Sequence, residues 1–266
     1  MQQPLYAKKR IRSYIILFIG ILFQSCITIK QSSLGTTNMT GLDIAKCNIS
    51  STGAVYMNLF GIFKVDFMPA STKIVLDSLV VYMDPLSIDD IMKADYIFIT
   101  HSHHDHFSKS DIKKISKQKT IVIGPKTVTR KIKDNECRTV SIGDTFDFGR
   151  IKCEVVESYN IHSKLHKKGS NYVGYVITCD STRIYIAGDT DFIPEMKDFK
   201  NITVAILPIG EGKTAMDPKS AAEAANLIKP EVVIPIHYEL GQNRENEFLE
   251  FLDDNIEVMF FQITGN

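Results

Sequence analysis

The sequence predicts an α/β (α+β) fold built as a four-layer αββα sandwich, in which two sheets pack face to face with helices outside. Short, β-branched apolar runs bounded by turn residues dominate the chain and predict strands. Three other segments have helical patterns. The order passes from strand-rich to alternating strand and helix, and this progression occurs twice. Two such progressions are typical of two sheets, each with helices on its outer side.

Length and composition are those of a soluble globular protein. The 266 residues can bury one substantial core or two small ones, and 44% hydrophobic with 23% charged residues is ordinary for such a domain. Lys and Arg total 31, and Asp and Glu also total 31. This balance gives no electrostatic reason to expect nucleic-acid binding.

The N-terminal segment 1–26 reads as an export signal. A basic stretch precedes the apolar run "YIILFIGILF" (14–23), which is too short to span a bilayer. The following "QSC" resembles a bacterial lipoprotein cleavage site and predicts that Cys26 is lipidated, which would anchor the protein to a membrane of the bacterial cell envelope. An uncleaved anchor and a signal cut elsewhere are the alternatives. Residues 27–42 are polar and unpatterned, and predict a tether to a folded domain over 43–266.

The first half of that domain begins with closely spaced runs typical of meandering antiparallel strands, "FKVDFM" (63–68), "TKIVL" (72–76) and "LVVYMDP" (79–85). "ADYIFITHS" (94–102) and "TIVIGP" (120–125) predict two further strands. The segment "SKSDIKKISK" (108–117) predicts an exposed helix.

The second half contains the clearest helix, "MDPKSAAEAANLIKP" (216–230). Asp217 is its predicted N-cap, Pro218 its first residue and Pro230 its stop. "ENEFLEFLDD" (245–254) predicts another helix. The predicted strands are "IKCEVVES" (151–158), "YVGYVITC" (172–179), "TRIYIAGDTD" (182–191), "VAILPIG" (204–210), "EVVIPIH" (231–237) and "EVMFFQ" (257–262).

The segment "THSHHDHFS" (100–108) holds four of the seven histidines within six consecutive positions. Alternate residues of an extended chain project to one side, so His101 and His103 can bind the same metal ion. Asp105 and His106 come after the chain turns and can face a second ion, whereas His104 should point away. Imidazole and carboxylate groups suit zinc and related divalent ions.

Other strands also end in ligand-type residues. Asp84 ends the strand over 79–83, Asp189 follows the strand over 183–187, and His237 closes the strand over 232–237. Loops at strand ends are where sites tend to be built. Asp84 can also be read as a turn residue or as support for a metal-binding histidine.

The four remaining cysteines lack the spacing of a metal site. Export permits disulfides. However, two of them lie in strand-like apolar runs, so buried free thiols are predicted. These residues are Cys47, Cys137, Cys153 and Cys179.

The stretches "HSHHDH", "AGDTD" and "PIHYE" resemble the motifs of the metallo-β-lactamase superfamily, in their usual order. The resemblance covers residues 45–266. It is greatest to the Zn-dependent hydrolases related to ascorbate-6-phosphate lactonase and N-acyl-phosphatidylethanolamine phospholipase D. It implies a metallo-β-lactamase-like sandwich holding two divalent ions, with Zn²⁺ expected and Mn²⁺ as the alternative.

The resemblance also implies a ligand for each position. His101 and His103 would bind the first ion with a third histidine, and Asp189 would bridge both ions. The third histidine is His162 or His166 of "SYNIHSKLHKKG", and the "HKKG" run favours His166, although Lys167 stands where relatives often have proline. The second ion would be bound by Asp105, His106 and His237.

An aspartate at position 189, where true β-lactamases usually have cysteine, points to hydrolysis of esters, lactones or phosphodiesters. Asp105 would orient the attacking water and carry its proton, and Thr214 would lie at the mouth of the site. The expected substrate is a small molecule or lipid-like. The alternative function is a non-catalytic metal-binding accessory protein of the cell envelope, which a site sealed by the 160–170 loop would favour.

Overall fold

The computed structural model describes residues 27–31, 42–44, 46–59, 63–89 and 92–261. The described strands are β1 (Ile27–Gln31), β2 (Leu42–Ile44), β3 (Cys47–Ser51), β4 (Val55–Leu59), β5 (Phe63–Met68), β6 (Thr72–Leu76), β7 (Leu79–Met83), β8 (Tyr96–Phe98), β9 (Ile121–Pro125), β10 (Glu136–Val140), β11 (Thr145–Asp147), β12 (Ile151–Glu157), β13 (Val173–Cys179), β14 (Thr182–Ile186), β15 (Val204–Pro208), β16 (Val232–Ile236), β17 (Tyr238–Glu239) and β18 (Glu257–Val258). The described α-helices are α1 (Lys109–Ile115), α2 (Lys126–Thr129), α3 (Pro218–Ile228) and α4 (Arg244–Leu249), and Pro194–Asp198 forms a 3₁₀ helix.

Two seven-stranded sheets share one plan. The first has the order β10-β9-β8-β7-β6-β3-β2, in which the pairs from β2 to β7 are antiparallel and those from β7 to β10 are parallel. The second has the order β11-β12-β13-β14-β15-β16-β18 and likewise changes from antiparallel to parallel, at β14. The twofold progression that the sequence predicted is therefore confirmed.

The inner faces of the two sheets form one core. A single cluster of buried side chains takes Ile74 and Phe98 from the first sheet and Tyr175 and Ile184 from the second. Phe98 and Tyr175 pack edge to face across it, with ring centroids 5.2 Å apart. Strands β15 and β16 are buried along their whole length, as expected for parallel strands covered on both faces.

Helices cover the outer face of each sheet and complete the four layers. On the first sheet, Ile112 and Ile115 of α1 pack into a second buried cluster with Ile97 and Ile99. The predicted exposure of this helix is therefore correct on one face only, because an amphipathic helix buries the stripe that meets the sheet. On the second sheet, α3 packs against β15 and α4 against α3.

The boundaries of α3 follow from local signals, as predicted. The Asp217 carboxylate accepts a hydrogen bond from the Ser220 backbone N–H at 2.7 Å, and Pro218 begins the helix. Lys229 adopts a left-handed conformation at its C-terminus, directly before Pro230.

Several predicted segments are shorter or different in the structure. The helix predicted over 245–254 spans Arg244–Leu249, and the strand predicted over 257–262 is limited to Glu257–Val258. Within the predicted tether 27–42, Ile27–Gln31 forms a strand paired with Val55–Leu59 in a four-stranded sheet, β1-β4-β5-β17. The alternation of "ITIKQ" suits a strand once a partner is available.

The predictions for the N-terminal segment 1–26, Cys26 included, and for residues 32–41 lie outside the described residues. No helix in the described part of the chain is both long and apolar enough to cross a membrane.

Candidate metal centre

The histidine-rich loop begins just after β8 and turns sharply. The backbone carbonyl of His103 accepts hydrogen bonds from the N–H groups of His106, at 3.1 Å, and Phe107, at 2.9 Å. Ser108 then caps α1 by accepting from the Asp111 N–H. The turn reverses the chain between 103 and 107, so side chains before and after it reach different neighbours.

His101, His103 and His166 form the first group of potential ligands, with one nitrogen of each lying within 4.8 Å of the others. His103 Nδ1 and His166 Nε2 are 2.8 Å apart. His101 and His166 are almost fully buried, and His103 is partly buried. The structure thus brings His166 into the group, whereas His162 is exposed on the same loop.

A second group consists of Asp105, His106, Asp189 and His237, again with ligand atoms within 4.8 Å of one another. Asp105 Oδ2 lies 3.5 Å from His237 Nε2 and 3.9 Å from His106 Nε2. His237 has a positive φ of 55°, and the edge of the Phe67 ring packs against its imidazole.

Asp189 stands between the two groups. Its Oδ2 lies 3.8 Å from His101 Nε2 and 3.8 Å from His166 Nδ1. Its Oδ1 lies 3.1 Å from His106 Nε2 and 3.4 Å from His237 Nε2. Each oxygen of one carboxylate therefore faces a different group, which is the arrangement that a bridging ligand requires.

Asp84 fixes the orientation of the His106 ring through the ring nitrogen that faces away from the other ligands. Asp84 Oδ2 accepts from His106 Nδ1 at 2.7 Å, and Oδ1 accepts from the Thr100 backbone N–H at 2.8 Å. A carboxylate only accepts hydrogen bonds, so Nδ1 carries a proton and Nε2 is the nitrogen that faces the site. Asp84 also has a positive φ of 43° at the end of β7. It therefore serves both as a turn residue and as support for a histidine.

Thr100 and Thr214 orient two further rings. Thr100 Oγ1 donates to Asp84 Oδ2 at 2.7 Å and lies 3.0 Å from His101 Nδ1, so its lone pair is free to accept from that nitrogen. The Thr214 backbone carbonyl accepts from His166 Nδ1 at 3.0 Å. Both contacts leave Nε2 as the ligand atom of the histidine concerned.

Sequence reasoning missed Tyr172. Its hydroxyl lies 3.3 Å from His103 Nε2, and its ring packs against those of His101, His103 and His166. A proton on Nε2 that is donated to this hydroxyl leaves Nδ1 free to bind an ion. No sequence signal distinguishes this tyrosine from other aromatic residues at strand starts.

Several buried polar atoms at the site make no hydrogen bond. Among the residues that the structure describes, eight buried side-chain polar atoms have no hydrogen-bond partner. Four of the eight lie at this site: His101 Nε2, His106 Nε2, His237 Nε2 and Asp189 Oδ1. Burying a polar atom without a partner costs free energy, so four at one place call for a missing partner. Nitrogen and carboxylate oxygen donors fit a divalent cation.

Burial and nearby charge set the protonation of the rings. Burial lowers the pKa of His101 well below its ordinary value, with help from the neighbouring His106, and lowers the pKa of His103 to about 4. Burial also acts to lower the pKa of His106, but the carboxylates of Asp189 and Asp84 raise it well above its ordinary value. His101 and His103 are therefore neutral at pH 7 and can bind a metal.

The two carboxylates of the site are held ionised. Burial acts to raise the pKa of Asp189 and of Asp105, but His106 and His237 outweigh it and lower both pKa values well below the ordinary range. These two ionised carboxylates, together with the neutral rings of His101 and His103, attract a divalent cation.

The site is not fully enclosed. Asp105 has 23% of its side chain exposed, and His103 and Tyr172 are partly buried. His104 is exposed. Each ligand group therefore has one residue in contact with solvent.

Comparisons with known proteins agree with this geometry. The family model described as "Beta-lactamase superfamily domain" matches residues 74–238. A protein of Thermococcus kodakarensis named a metal-dependent hydrolase is 33% identical over 182 residues, covering 64% of this chain and 80% of that protein.

Two solved structures extend the comparison. The crystal structure of a Parabacteroides distasonis protein named a metal-dependent hydrolase is similar with a TM-score of 0.68 and 30% identity, covering 84% of this chain and 99% of that one. A metallo-beta-lactamase fold protein of Bacillus subtilis gives a TM-score of 0.60 at 14% identity, covering 73% of this chain and 88% of that one. The second likeness is one of fold alone.

Proposed function

Because the chain belongs to the beta-lactamase superfamily, we propose that it is a metal-dependent hydrolase that works with two divalent ions. The observation that carries this proposal is the position of Asp189, whose two oxygens face two separate groups of ligands. A site for a single ion would not need a carboxylate shared in this way.

In the proposed centre each ion has its own ligands. His101, His103 and His166 would hold the first ion through the nitrogens that their hydrogen bonds leave free. The second ion would be held by Asp105, His106 and His237, and Asp189 would be shared. The mixture of imidazole and carboxylate suits Zn²⁺, with Mn²⁺ as the alternative.

When bound, a pair of divalent ions would supply Lewis-acid chemistry, which lowers the pKa of water and polarises a substrate oxygen. The chain supplies the groups that position this chemistry and move its proton. Asp105 is an ionised carboxylate whose Oδ2 approaches His237 Nε2 and whose side chain is the most exposed in its group. It orients the attacking water, accepts its proton and returns a proton to the leaving group.

The proposed substrate is a small molecule or lipid-like compound with an ester, lactone or phosphodiester bond. An aspartate at position 189, rather than the cysteine of true β-lactamases, supports these bonds over the β-lactam ring. The motif resemblance to ascorbate-6-phosphate lactonase and N-acyl-phosphatidylethanolamine phospholipase D supports the same range. The partial exposure of Asp105 and His103 favours turnover over a sealed, non-catalytic metal store.

We also propose that the protein works in the bacterial cell envelope, held to a membrane through lipidated Cys26. The support is the basic stretch, the apolar run 14–23 and the "QSC" that follows them. A fatty-acid label should enter the wild-type protein in cells and be lost in Cys26→Ser. Retention of residues 1–25 in the mature protein, seen by mass spectrometry, would contradict this proposal.

The test of the catalytic proposal combines metal analysis with a substrate screen. Purified protein should contain about two metal ions per chain and hydrolyse members of a panel made of bis-p-nitrophenyl phosphate, p-nitrophenyl esters and lactones. Chelation should remove both the metal and the activity, and Zn²⁺ or Mn²⁺ should restore them. Fully loaded protein without activity on any member would count against turnover and favour the accessory function.

A further inference from the structure

The two outer helical layers of the sandwich carry opposite charge. The segment 109–133, which contains α1 and α2, has nine Lys and Arg residues and one acidic residue, Asp111. The segment 217–254, which contains α3 and α4, has nine Asp and Glu residues and three basic ones. The formal net charge of zero for the whole chain therefore conceals a strongly polarised molecule.

The basic residues of segment 109–133 share one side of the molecule, because both of its helices pack on the same side of the first sheet. Ile112 of α1 and Val128 of α2 belong to one buried cluster with Ile97 of β8 and Val122 of β9. Side chains on the opposite side of each helix point away from the sheet. We call the following nine residues, of which all but the half-buried Lys131 are exposed, the basic layer: Lys109, Lys113, Lys114, Lys117, Lys119, Lys126, Arg130, Lys131 and Lys133.

Two members of the basic layer have an acidic partner. Lys117 pairs with Asp95 at 2.6 Å, and Lys114 lies 3.6 Å from Asp89. Among the residues that the structure describes, the other seven form no ion pair: Lys109, Lys113, Lys119, Lys126, Arg130, Lys131 and Lys133.

The remaining acidic residues nearby offset little of this charge. The carboxylate of Asp111 accepts hydrogen bonds from the Ser87 and Ile88 backbone N–H groups, at 3.1 and 2.9 Å. Asp134 and Glu136 are exposed and follow directly at the end of the segment. An excess of positive charge therefore faces solvent on this side of the molecule.

We propose that the basic layer docks on the surface of a membrane that contains anionic phospholipids. Clusters of about four to eight Lys and Arg residues next to a membrane are attracted to anionic headgroups, and seven unpaired members on one side reach that number. The acidic layer on the opposite side would face away from the membrane, so the charge pattern sets a single orientation. The proposed location in the cell envelope makes lipid, rather than nucleic acid, the anionic partner.

The basic layer borders the candidate metal centre. Lys131 Nζ lies 5.4 Å from the centroid of the Phe107 ring, and Phe107 follows His106 in the chain. Docking would therefore hold the metal centre near the headgroups. This favours a lipid-like compound as the substrate. That consequence rests on the proposed hydrolysis, whereas the docking itself does not.

Lysine footprinting of the full chain on vesicles tests the docking. The protein is combined with vesicles of phosphatidylcholine, either alone or with about one third phosphatidylglycerol. Neither lipid has a primary amine, so a short pulse of N-hydroxysuccinimide acetate followed by mass spectrometry gives the acetylation rate of each lysine.

Acetylation should slow only in the basic layer. An anionic surface keeps a nearby ammonium group protonated, so the rates at Lys113, Lys126 and Lys133 should be about 3- to 7-fold lower on the anionic vesicles. Lys197 and Lys219 lie on the side of α3 and should react equally on both kinds of vesicle. Because salt screens the attraction, about 0.5 M NaCl should abolish the difference.

Two triple variants provide a matched comparison. Replacing Lys113, Lys126 and Arg130 together by Gln should reduce the protection of Lys109 and Lys133 to less than about 2-fold, because three of the attracting charges are lost. The control variant removes three exposed charges elsewhere and should keep the full protection: Lys152→Gln, Lys197→Gln and Lys219→Gln. Circular dichroism checks that both variants are folded.

Equal acetylation rates on neutral and anionic vesicles would overturn the proposal. A fall at Lys197 and Lys219 as large as that at Lys113 would also contradict it, because the chain would then approach the membrane without a preferred side. Full reactivity on anionic vesicles combined with protection by double-stranded DNA would assign the basic layer to nucleic acid instead. The footprint requires no turnover, so its failure is distinct from the failure of a substrate screen.

Discussion

Asp84 Oδ2 lies 2.7 Å from His106 Nδ1, and both side chains are buried. Asp84 directly follows β7, and His106 lies in the loop after the neighbouring strand β8. The same carboxylate oxygen accepts from Thr100 Oγ1, which in turn lies 3.0 Å from His101 Nδ1. Asp84 therefore orients one histidine from each group of potential ligands, directly or through one hydroxyl. Three contacts from a single carboxylate make this residue a sensitive position to change.

Asp84→Asn should weaken metal binding without unfolding the protein. Asparagine tolerates the positive φ at this position, but its amide cannot supply two accepting oxygens for Thr100 and His106. Loss of such a supporting contact typically lowers metal affinity 10- to 100-fold. Equilibrium dialysis against Zn²⁺, with circular dichroism to confirm the fold, measures the effect. Wild-type affinity in a folded Asp84→Asn protein would show that the contact does not orient the ligands.

Asp189→Ala should reduce the metal content of both groups as well as the rate. One carboxylate lies within 4 Å of ligand nitrogens on both sides, so its removal takes an anionic ligand from each ion. Metal analysis after dialysis should show substantially less than one ion bound per chain of the variant, compared with two in the wild-type protein. Retention of two ions would rule out a bridging role.

Asp105→Asn should separate catalysis from metal binding. The substitution keeps the shape and one neutral oxygen for the ion, but it removes the charge and the proton acceptor beside the attacking water. Loss of general-base assistance typically costs about 10²–10⁴-fold in turnover. Metal content should fall less than in Asp189→Ala. Unchanged turnover on a cleavable ester or phosphodiester would refute the assigned role.

His166→Ala and His162→Ala form a matched pair on one loop. His166 is buried against His103 and held by the Thr214 carbonyl, whereas His162 is exposed. His166→Ala should therefore lose an ion and most of the activity, and His162→Ala should retain both. Metal content and turnover measured in parallel decide the assignment, and the reverse pattern would transfer the role to His162.

Much of the fold could be predicted because its signals are local. Asp217, Pro218 and Pro230 mark the ends of α3 through backbone chemistry that needs no distant contact. The apolar run over 257–262 was predicted as one strand, and this prediction is wrong for most of its length. Only Glu257–Val258 pairs in the ladder, and Phe261 is instead buried in the core without a strand partner. The strand Ile27–Gln31 was missed because so short a segment becomes a strand only beside Val55–Leu59.

For the site, the available chemistry can be read from the sequence. The spacing of His101, His103, Asp105 and His106 in one loop, with Asp189 and His237 at other strand ends, was enough to nominate the metal ligands. The relations between distant segments became visible in the three-dimensional fold alone. It brought His166 rather than His162 to the cluster and placed Tyr172 against His103. These contacts depend on how two sheets pack, and packing is fixed by the shape and burial of the whole core rather than by any local pattern.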